Sequence, residues 1–411
     1  MNRSPWLDAS DEDGLPEVLW EDGERRFYRI WRSGADGARH AYMAVLPAAE
    51  PPTPGSISRL AHEYALKEYI DSPWALRPLE LVRERGQTVL VLDCHDGEPL
   101  DRQKLEVWPS LPLDSWRETY ATLHMWAQIA GEIRLKLSPM RNHWWHVPLY
   151  VTAHGLSTSL ISYRSGAFQI DFDLVDDQLR IGTTWDSTRK IWLGHRPVAH
   201  FYQELLGTLH ALGVDVKIWT HPVEVEDPIP FELDDIHGAY DPESAQRFWN
   251  ILVQVERVFQ KFRSGFLGKC SPVHFFWGSF DLGITRFSGR PAPPHPGGIP
   301  NLADWVAREA YSHEVSSCGF WPGGGANPEP AFYAYAYPEP QDFAQYTIQP
   351  DGAFYHESMR EFILPFEVVR QSANPDGTLM AFLQSTYDAA AERGGWDRGA
   401  LEREPMSGGS V

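Results

Sequence analysis

Alternating apolar and polar residues run through the first hundred positions and predict a small antiparallel sheet. Five runs have this character, and turn-forming residues such as Asp22-Gly23 separate them. A helix is expected after the third run, with Ser56 or Ser58 as its N-cap. The pattern therefore predicts five strands with one helix after the third strand. The five runs are 18–20, 27–31, 41–46, 79–82 and 88–92.

From position 105 onward, helical periodicity alternates with strand-like runs. Apolar residues step by three and four after Asp114, Pro197 and Asp241, and each of these residues is typical of a helix start. Gly131 is expected to end the first helix, because glycine commonly follows the last helical turn. A final helix is expected over 377–391. The strand-like runs are 132–137, 145–151, 168–174, 179–183, 273–277, 282–287, 332–337 and 362–368.

This order of elements favours an α+β fold over a doubly wound parallel sheet, because hairpin-type turns separate several of the strands. Two domains are predicted, one over 1–104 with the five-stranded sheet and a larger one over 105–404. Helical patterns and strand-like runs occur in both parts of the larger domain, which favours two sheet-plus-helix halves at 105–230 and 231–404.

Five segments of the N-terminal domain have distinctive sequences: Leu19-Trp-Glu-Asp-Gly23, Ala44-Val-Leu-Pro47, Leu60-Ala-His-Glu-Tyr64, Arg77-Pro-Leu-Glu-Leu81 and Gly97-Glu-Pro-Leu100. Residues 15–102, which contain them, resemble the kinase small lobe at the start of large bacterial fusion proteins. Those proteins join a serine/threonine kinase domain to an ATPase and a sensor histidine kinase. The resemblance implies a truncated kinase-like lobe, because no catalytic lobe follows it here.

Phosphoryl transfer requires groups that this chain lacks. Kinases use a strand lysine paired to a helix glutamate, a catalytic aspartate and a metal-binding Asp-Phe-Gly motif. Val45, Leu46 and Pro47 stand where the lysine is expected, and Glu63 has the position of the helix glutamate without that partner. Neither a His-Arg-Asp nor an Asp-Phe-Gly motif occurs in the sequence. Kinase activity is therefore predicted to be absent, and the lobe is interpreted as a docking surface.

The larger domain also has long and unusual segments: Thr119 to Gln128, Asn142 to Tyr150, Phe275 to Leu282, Thr285 to Arg290 and Ala389 to Arg398. The region from Trp108 to Glu402, which contains them, resembles a bacterial family catalogued only as a domain of unknown function. This resemblance implies no activity.

Composition excludes several classes of function. With 56 acidic and 36 basic side chains, the net charge is −20, which does not supply the basic footprint that nucleic-acid binding needs. No apolar stretch approaches the length of a membrane span, and no signal peptide is recognised, so a cytoplasmic protein without membrane association is expected. The three cysteines, Cys94, Cys270 and Cys318, fit neither a disulfide framework nor a zinc site. No metal or cofactor is predicted.

A group of polar residues in the second half is the candidate ligand site. If runs 273–277 and 282–287 pair, an acid, a base and an anion-binding side chain would meet between aromatic walls, which is the usual make-up of a ligand pocket. The alternative is hydrogen bonding inside an aromatic core. The candidate residues are His274, Asp281, Arg286, His313, Glu314, Trp277 and Trp321.

His143 and His146 are weaker candidates. In an extended segment they would face opposite sides and could not chelate one metal, whereas a helical turn would bring them to one face. The alternative is that both histidines are hydrogen-bonded within an aromatic core.

Two functional hypotheses remain. In the first, the chain is a non-enzymatic binding or regulatory protein whose kinase-like lobe docks a partner and whose large domain binds a small molecule or a protein. In the second, the large domain is an enzyme that acts on a small anionic substrate through the His/Asp/Arg pocket. The first hypothesis requires fewer unproven arrangements of the candidate residues and is favoured.

Overall fold

The computed structural model divides the chain into two compact units, Met1–Glu106 and Val107–Val411, called unit 1 and unit 2 here. The Asp22-Gly23 turn and Cys94 lie outside the described residues. Those residues are 17–21, 25–33, 39–48, 52–65, 67, 76–84, 87–93, 107–186, 188–324 and 328–403.

The described residues of unit 1 form five strands and an α-helix: β1 (Glu17–Glu21), β2 (Arg25–Ser33), β3 (Arg39–Pro47), α1 (Pro54–Ala65), β4 (Pro78–Glu84) and β5 (Gln87–Asp93). The strands form one antiparallel sheet in the order β1-β2-β3-β5-β4. This confirms the predicted sheet. Leu60 of α1 and Val45 of β3 are fully buried in one apolar cluster, which fixes the helix on the sheet.

The N-cap of α1 differs from the prediction. The Thr53 hydroxyl accepts the Ser56 N–H at 3.1 Å, and Pro54 occupies the first helical position, where a missing N–H costs nothing. Thr53 is therefore the cap, and Ser56 lies within the first turn.

Unit 2 contains two antiparallel sheets and seven α-helices among its described residues, which confirms the predicted α+β class. The helices are α2 (Leu113–Leu137), α3 (Val198–Ala211), α4 (Pro242–Ser264), α5 (Asp304–Ala310), α6 (Phe366–Arg370), α7 (Pro375–Arg393) and α8 (Arg398–Leu401). The first sheet consists of β6 (Tyr150–Thr152), β7 (Gly155–Ser157), β8 (Ile161–Tyr163), β9 (Gly166–Asp173), β10 (Gln178–Thr183) and β11 (Arg189–Trp192). The second consists of β12 (His274–Phe276), β13 (Asp281–Pro291), β14 (His313–Trp321), β15 (Ala331–Tyr337), β16 (Phe354–His356) and β17 (Glu361–Pro365).

One sheet lies in each of the two predicted halves, and a single continuous hydrophobic core joins them. The predicted hairpin of runs 168–174 and 179–183 is present as β9 and β10, with Phe172 opposite Leu179. Helix α4 begins as predicted, because the Asp241 carboxylate accepts the Ser244 N–H at 3.0 Å.

Helix α2 is longer than predicted, because Gly131 lies inside it and does not end it. The Trp277 indole packs against this glycine, and a Cβ atom there would lie 2.3 Å from the indole carbons. The run 132–137, predicted as a strand, is the last part of the same helix. Residues 122–134 are buried on every side of it, so the apolar spacing that marks an amphipathic helix is lost there.

The second sheet has the order β12-β13-β14-β15-β17-β16, and successive residues of each strand point to opposite faces. One face, the helix face, packs on α4 and α7 through apolar residues such as Ile284, Cys318 and Ala334, which are cross-strand neighbours. The other face, the cleft face, carries the alternate residues, such as Thr285 and Ser317. The two faces therefore have different chemistry.

Two predicted strands have different bounds. The run 362–368 ends as a strand at Pro365, because α6 begins at Phe366, and the run 145–151 becomes a strand only at Tyr150. Cys270 and Cys318 are free thiols. Among the described residues, no helix combines the length and the apolar character that crossing a bilayer requires.

Candidate functional site

The Asp281 carboxyl, on the cleft face of the second sheet, interacts electrostatically with the carboxyls of two glutamates. Asp281 begins β13, Glu361 begins β17, and Glu224 comes from the connection between α3 and α4. The charge of Asp281 raises the pKa of both glutamates, so the three groups are near enough to interact. We call this region the carboxyl cleft, and its members are Glu224, Asp281, Glu361, Tyr311, Tyr333 and Tyr335.

The Asp281 carboxyl is buried, and two hydroxyl groups hold it. Ser279 donates to one carboxyl oxygen and Tyr333 donates to the other. Burial raises the pKa of Asp281 to about 6, although both hydrogen bonds act in the opposite direction. Asp281 therefore changes its protonation state near neutral pH.

Two glycines make room for the Tyr333 side chain. Gly319 of β14 lies between Gly283 of β13 and Tyr333 of β15 in the cross-strand register. A Cβ atom at Gly319 would lie 2.3 Å from the Tyr333 hydroxyl oxygen. The missing side chains thus allow the phenol to extend across β14 and reach Asp281.

Glu224 combines an exposed side chain with a raised pKa. The residue is exposed to solvent, yet protein atoms surround its carboxyl so closely that burial, with the charge of Asp281, raises its pKa to about 7. Its backbone has φ of 60°, a left-handed conformation that costs a non-glycine residue about 1–2 kcal/mol. A strained, desolvated and accessible acid is typical of a functional site.

Helix α2 anchors the segment that carries Glu224. The Gln128 side-chain amide donates to the Val223 carbonyl at 2.8 Å and accepts the Val223 N–H at 2.9 Å. The Glu224 N–H donates to the Pro300 carbonyl at 3.1 Å. Gly278 leaves space for the carboxyl, because a Cβ atom there would lie 2.3 Å from Glu224 Oε1. Gln128 and Gly278 are therefore positioning residues.

Tyrosine side chains line the cleft. The hydroxyl oxygens of Tyr311 and Tyr335 are 2.7 Å apart, and the stacked rings of Tyr333 and Tyr335 have centroids 6.1 Å apart. Burial raises the pKa of Tyr311 to about 12 and raises the pKa of Tyr333 and of Tyr335 well above the usual value of 10. All three phenols are half-buried and stay protonated at neutral pH, so they present donors and aromatic faces.

The connection between β13 and α5 adds aromatic groups beside the cleft. The His295 ring stacks on Tyr311 with centroids 4.7 Å apart and packs on Tyr337 at 5.0 Å. Tyr337 donates to the Pro293 carbonyl at 3.0 Å, which ties this connection to β15. Burial lowers the pKa of His295, which keeps its imidazole neutral at pH 7.

The charge of the cleft is one-sided. Burial and Asp281 raise the pKa of Glu361 to about 7. Within the described part of the chain, no basic side chain lies near enough to Glu224, Asp281 or Glu361 to lower its pKa. Among the described residues, these three acids therefore have no basic partner, and the charge of Asp281 makes the ionisation of both glutamates more costly.

Arg286 does not join Asp281, contrary to the prediction. The two residues are five apart on β13, so their side chains lie on opposite faces. The Arg286 guanidinium carbon lies 3.4 Å from the ring centroid of Phe262 on α4 and 4.4 Å from that of Tyr387 on α7. The predicted anion-binding group therefore belongs to the helix face.

Glu314 is also separate from the cleft carboxyls. It forms an ion pair with Arg290 at 2.6 Å. Both residues line a different cavity of about 210 Å³, together with Ala390 and Trp396 of the C-terminal region.

His274 is on the cleft face but fully buried, and neither ring nitrogen has a partner among the described protein atoms. The rings of Tyr150 and Trp145 pack on it at 5.6 and 6.0 Å. Burial lowers the pKa of His274 to about 3, so the imidazole is neutral. His313 packs instead against His143, with ring centroids 5.6 Å apart. The structure therefore does not bring the predicted set of residues into one cavity.

The two candidate tryptophans lie on different parts of the sheet. Trp277 is buried against α2, and its indole N–H donates to the Val147 carbonyl at 3.0 Å. Trp321 is half-buried at the end of β14, on the same side of the strand as Gly319.

The imidazoles of His143 and His146 have separate structural partners. His143 Nδ1 donates to the Ala310 carbonyl at 3.0 Å, and its Nε2 accepts from Lys269 at 2.6 Å. His146 Nδ1 accepts a backbone N–H at 3.2 Å. In the described ranges, no group of three or more His, Cys, Asp or Glu side chains is arranged to hold a metal ion.

The sequence analysis missed Glu224, Glu361 and Tyr333. The available signal was the pair Gly283 and Gly319, because a glycine inside a strand marks the close approach of another group. Nothing in the spacing of Glu224 indicates that it faces Asp281, since a loop anchored by Gln128 brings them together.

In unit 1, the position expected for the kinase lysine is apolar in three dimensions as well. Val45 is fully buried against α1. Glu63 of α1 instead pairs with Arg25 of β2 at 2.8 Å. The helix glutamate therefore has a cationic partner, but from another strand.

Comparison with models of known protein families identifies a match. The model of a protein family described as "Family of unknown function (DUF5996)" matches residues 108–403. A search of curated proteins finds no match to this chain.

Proposed function

The chain belongs to the DUF5996 family of unknown function, and we propose that unit 2 binds a small molecule in the carboxyl cleft. The observation that carries this proposal is the group of Glu224, Asp281 and Glu361, whose pKa values are all raised and which interact electrostatically with nearby tyrosines. Keeping such acids together costs stability, and proteins retain costly groups mainly where they act on a ligand.

The test is retention of ligands by variants of the cleft. Protein is incubated with a defined mixture of polar metabolites and examined by native mass spectrometry. Wild type is expected to retain an adduct that Asp281→Asn loses. Glu243→Gln is the matched control, because Glu243 is an exposed acid of α4 paired with Arg247. Equal retention by both variants, or no adduct on wild type, would contradict the proposal.

A second candidate function is acid–base catalysis in the same cleft. The favouring observation is that the carboxyl pKa values lie at about 6 and 7, so proton donors and acceptors coexist near neutral pH. A panel of chromogenic esters and glycosides should then give turnover with a bell-shaped pH profile that Asp281→Asn abolishes. No turnover above the rate of Asp281→Asn would leave binding alone.

For unit 1 we propose a docking role for a protein partner and no nucleotide chemistry. Val45 in place of a lysine removes the expected contact to phosphates, and Glu63 already pairs with Arg25. Calorimetry with ATP and Mg²⁺ should show no binding tighter than about 100 μM, which corresponds to roughly −5.5 kcal/mol. Tighter binding of ATP would contradict the proposed absence of nucleotide chemistry in unit 1.

A further inference from the structure

The cavity beside Glu314 lies at one end of the second sheet, and we call it the α7 cavity. Residues from the end of β13, the start of β14, the end of β15 and the C-terminal end of α7 line it, and no residue of the carboxyl cleft does. Its volume is about 210 Å³, whereas a cavity of about 150 Å³ already accommodates a benzene ring. The α7 cavity therefore has room for one small organic molecule.

The walls of the α7 cavity are largely apolar. Strands β14 and β15 supply one side, and α7 with the segment that follows it supplies the other. Apolar walls of this kind bind the hydrocarbon part of a ligand, because that part leaves water on binding. The buried wall residues are Val315, Ala336, Ala390 and Trp396, and half-buried Tyr337 and Pro338 complete the wall.

The Glu314 carboxylate lines the α7 cavity, but its charge is already compensated. Its Oε2 atom accepts from the Ser288 hydroxyl at 2.8 Å and from Nε and Nη2 of Arg290 at 2.8 and 2.6 Å. Arg290 also donates to the carbonyls of Gly394 and Gly395, at 2.6 and 3.1 Å. This ion pair therefore ties β13 and β14 to the end of α7, and its two charges cancel.

Arg393, the last residue of α7, supplies the remaining charge of the cavity lining. Its guanidinium lies over the Tyr346 ring, 5.6 Å from the centroid, and has no ion-pair partner within the described part of the chain. The neighbouring acids Asp388 and Glu392 pair instead with Arg398, at 2.7 and 2.9 Å. The lining thus has one uncompensated positive charge, on an exposed side chain at the rim.

We propose that the α7 cavity binds a small organic monocarboxylate with an apolar body. The walls take the body, and Arg393 pairs with the carboxylate, to which a guanidinium can donate two parallel hydrogen bonds. A cation would be repelled by Arg393, and a dianionic phosphate ester would keep one charge unpaired. This site lies outside the carboxyl cleft and does not depend on the function proposed for it.

The experiment compares carboxylates with their uncharged amides. The probes are benzoate, phenylacetate and 3-methylbutanoate, each with its primary amide, and acetate is the carboxylate without an apolar body. Titrations at pH 7 follow the Trp396 indole N–H in ¹H–¹⁵N NMR spectra, with the signal assigned by Trp396→Phe. At least one carboxylate should shift this signal and bind about tenfold more tightly than its amide and than acetate.

Variants assign the preference to Arg393. Arg393→Gln should bind the carboxylate no more tightly than the amide, and an exposed position makes this change compatible with folding. Arg247→Gln is the matched control, because Arg247 is an exposed helix arginine, paired with Glu243 on α4, that does not line the cavity. Asp281→Asn should also keep the preference, since Asp281 belongs to the carboxyl cleft.

Three results would overturn the proposal. The first is equal affinity for each carboxylate and its amide, and the second is an unchanged preference in Arg393→Gln. The third is binding that leaves the Trp396 signal unmoved, because the ligand would then lie elsewhere. Carboxylate binding that is lost in Asp281→Asn but kept in Arg393→Gln would assign the ligand to the carboxyl cleft and leave only the function proposed above.

Discussion

The two faces of the second sheet have opposite designs. The helix face is mostly apolar, and Ile284, Phe320 and Phe332 are all almost completely buried there. The cleft face exposes part of its tyrosines and carries two acids, Asp281 and Glu361. Adjacent residues of one strand therefore serve different purposes, one stabilising the fold and the next shaping the candidate site.

Asp281 and Arg286 show what this difference teaches. They lie five residues apart on one strand, and the pairing of runs 273–277 and 282–287 was expected to bring them into one pocket. The strand alternation sends Arg286 to the rings of Phe262 and Tyr387 and Asp281 to Tyr333. A site on one face of a sheet must therefore be sought among alternate residues of each strand and their cross-strand neighbours.

The largest expected effect is on the helix face. Phe332→Ala should lower the free energy of unfolding by about 3–5 kcal/mol, because it leaves a cavity beside Phe320 and Phe366. Urea denaturation measures this loss. Tyr337→Ala, at a half-buried position of the same strand, should cost clearly less. Equal losses would mean that the two faces contribute alike to stability.

Next in size is the pH dependence from the cleft face. The folded-state pKa of Asp281, about 6, exceeds its ordinary value of 3.8, so the folded protein binds this proton more tightly. Stability from this group is present below pH 4 and is lost as the pH rises through 6, by roughly 3 kcal/mol in total. Asp281→Asn should remove that part of the decline measured by urea denaturation from pH 4 to 8. A decline as steep as that of wild type and Glu243→Gln would contradict the raised pKa.

A smaller effect on stability is expected at Gly319, where the cleft face has no side chain. Gly319→Ala would press a methyl group against Tyr333 and should cost about 1–3 kcal/mol. Gly207→Ala in α3 is the control, since no atom lies within 4 Å of its Cβ position and alanine favours a helix by up to about 1 kcal/mol. Thermal unfolding should shift in opposite directions for the two variants. A neutral Gly319→Ala would show that Tyr333 does not need this space.

The smallest effect concerns the buried edge of the cleft face. His274→Phe replaces an imidazole whose nitrogens have no described protein partner with an apolar ring of similar size. It should leave stability unchanged or raise it by about 1 kcal/mol. Chemical denaturation at pH 7 decides this, with His143→Phe as a contrast that loses two hydrogen bonds. A loss at His274 as large as that at His143 would indicate a bound partner.

Local signals predicted much of the fold. Asp241 caps α4, and the hairpin of β9 and β10 follows its turn, because both depend on neighbours in the sequence. Gly131 misled the analysis, since its role is set by Trp277, which lies 146 positions further along the chain.

The candidate site was less predictable for the same reason. Asp281 was identified as a polar residue in an apolar run. Glu224 lies near Asp281 only because Gln128 holds its loop in place. Glu361 lies near Asp281 only because of the way β17 pairs with β15. Neither the hydrogen bonds of Gln128 nor the order of β15 and β17 in the sheet is indicated by neighbouring residues in the sequence.

The central claim is that three carboxyls in one cleft titrate near neutral pH, and ¹³C NMR of the carboxyl carbons tests it most directly. The signals are assigned with Asp281→Asn, Glu224→Gln and Glu361→Gln. The account predicts midpoints near pH 6 for Asp281 and near pH 7 for both glutamates, with the glutamate midpoints falling in Asp281→Asn. Midpoints at the ordinary values of 3.8 and 4.5, unaffected by Asp281→Asn, would contradict it.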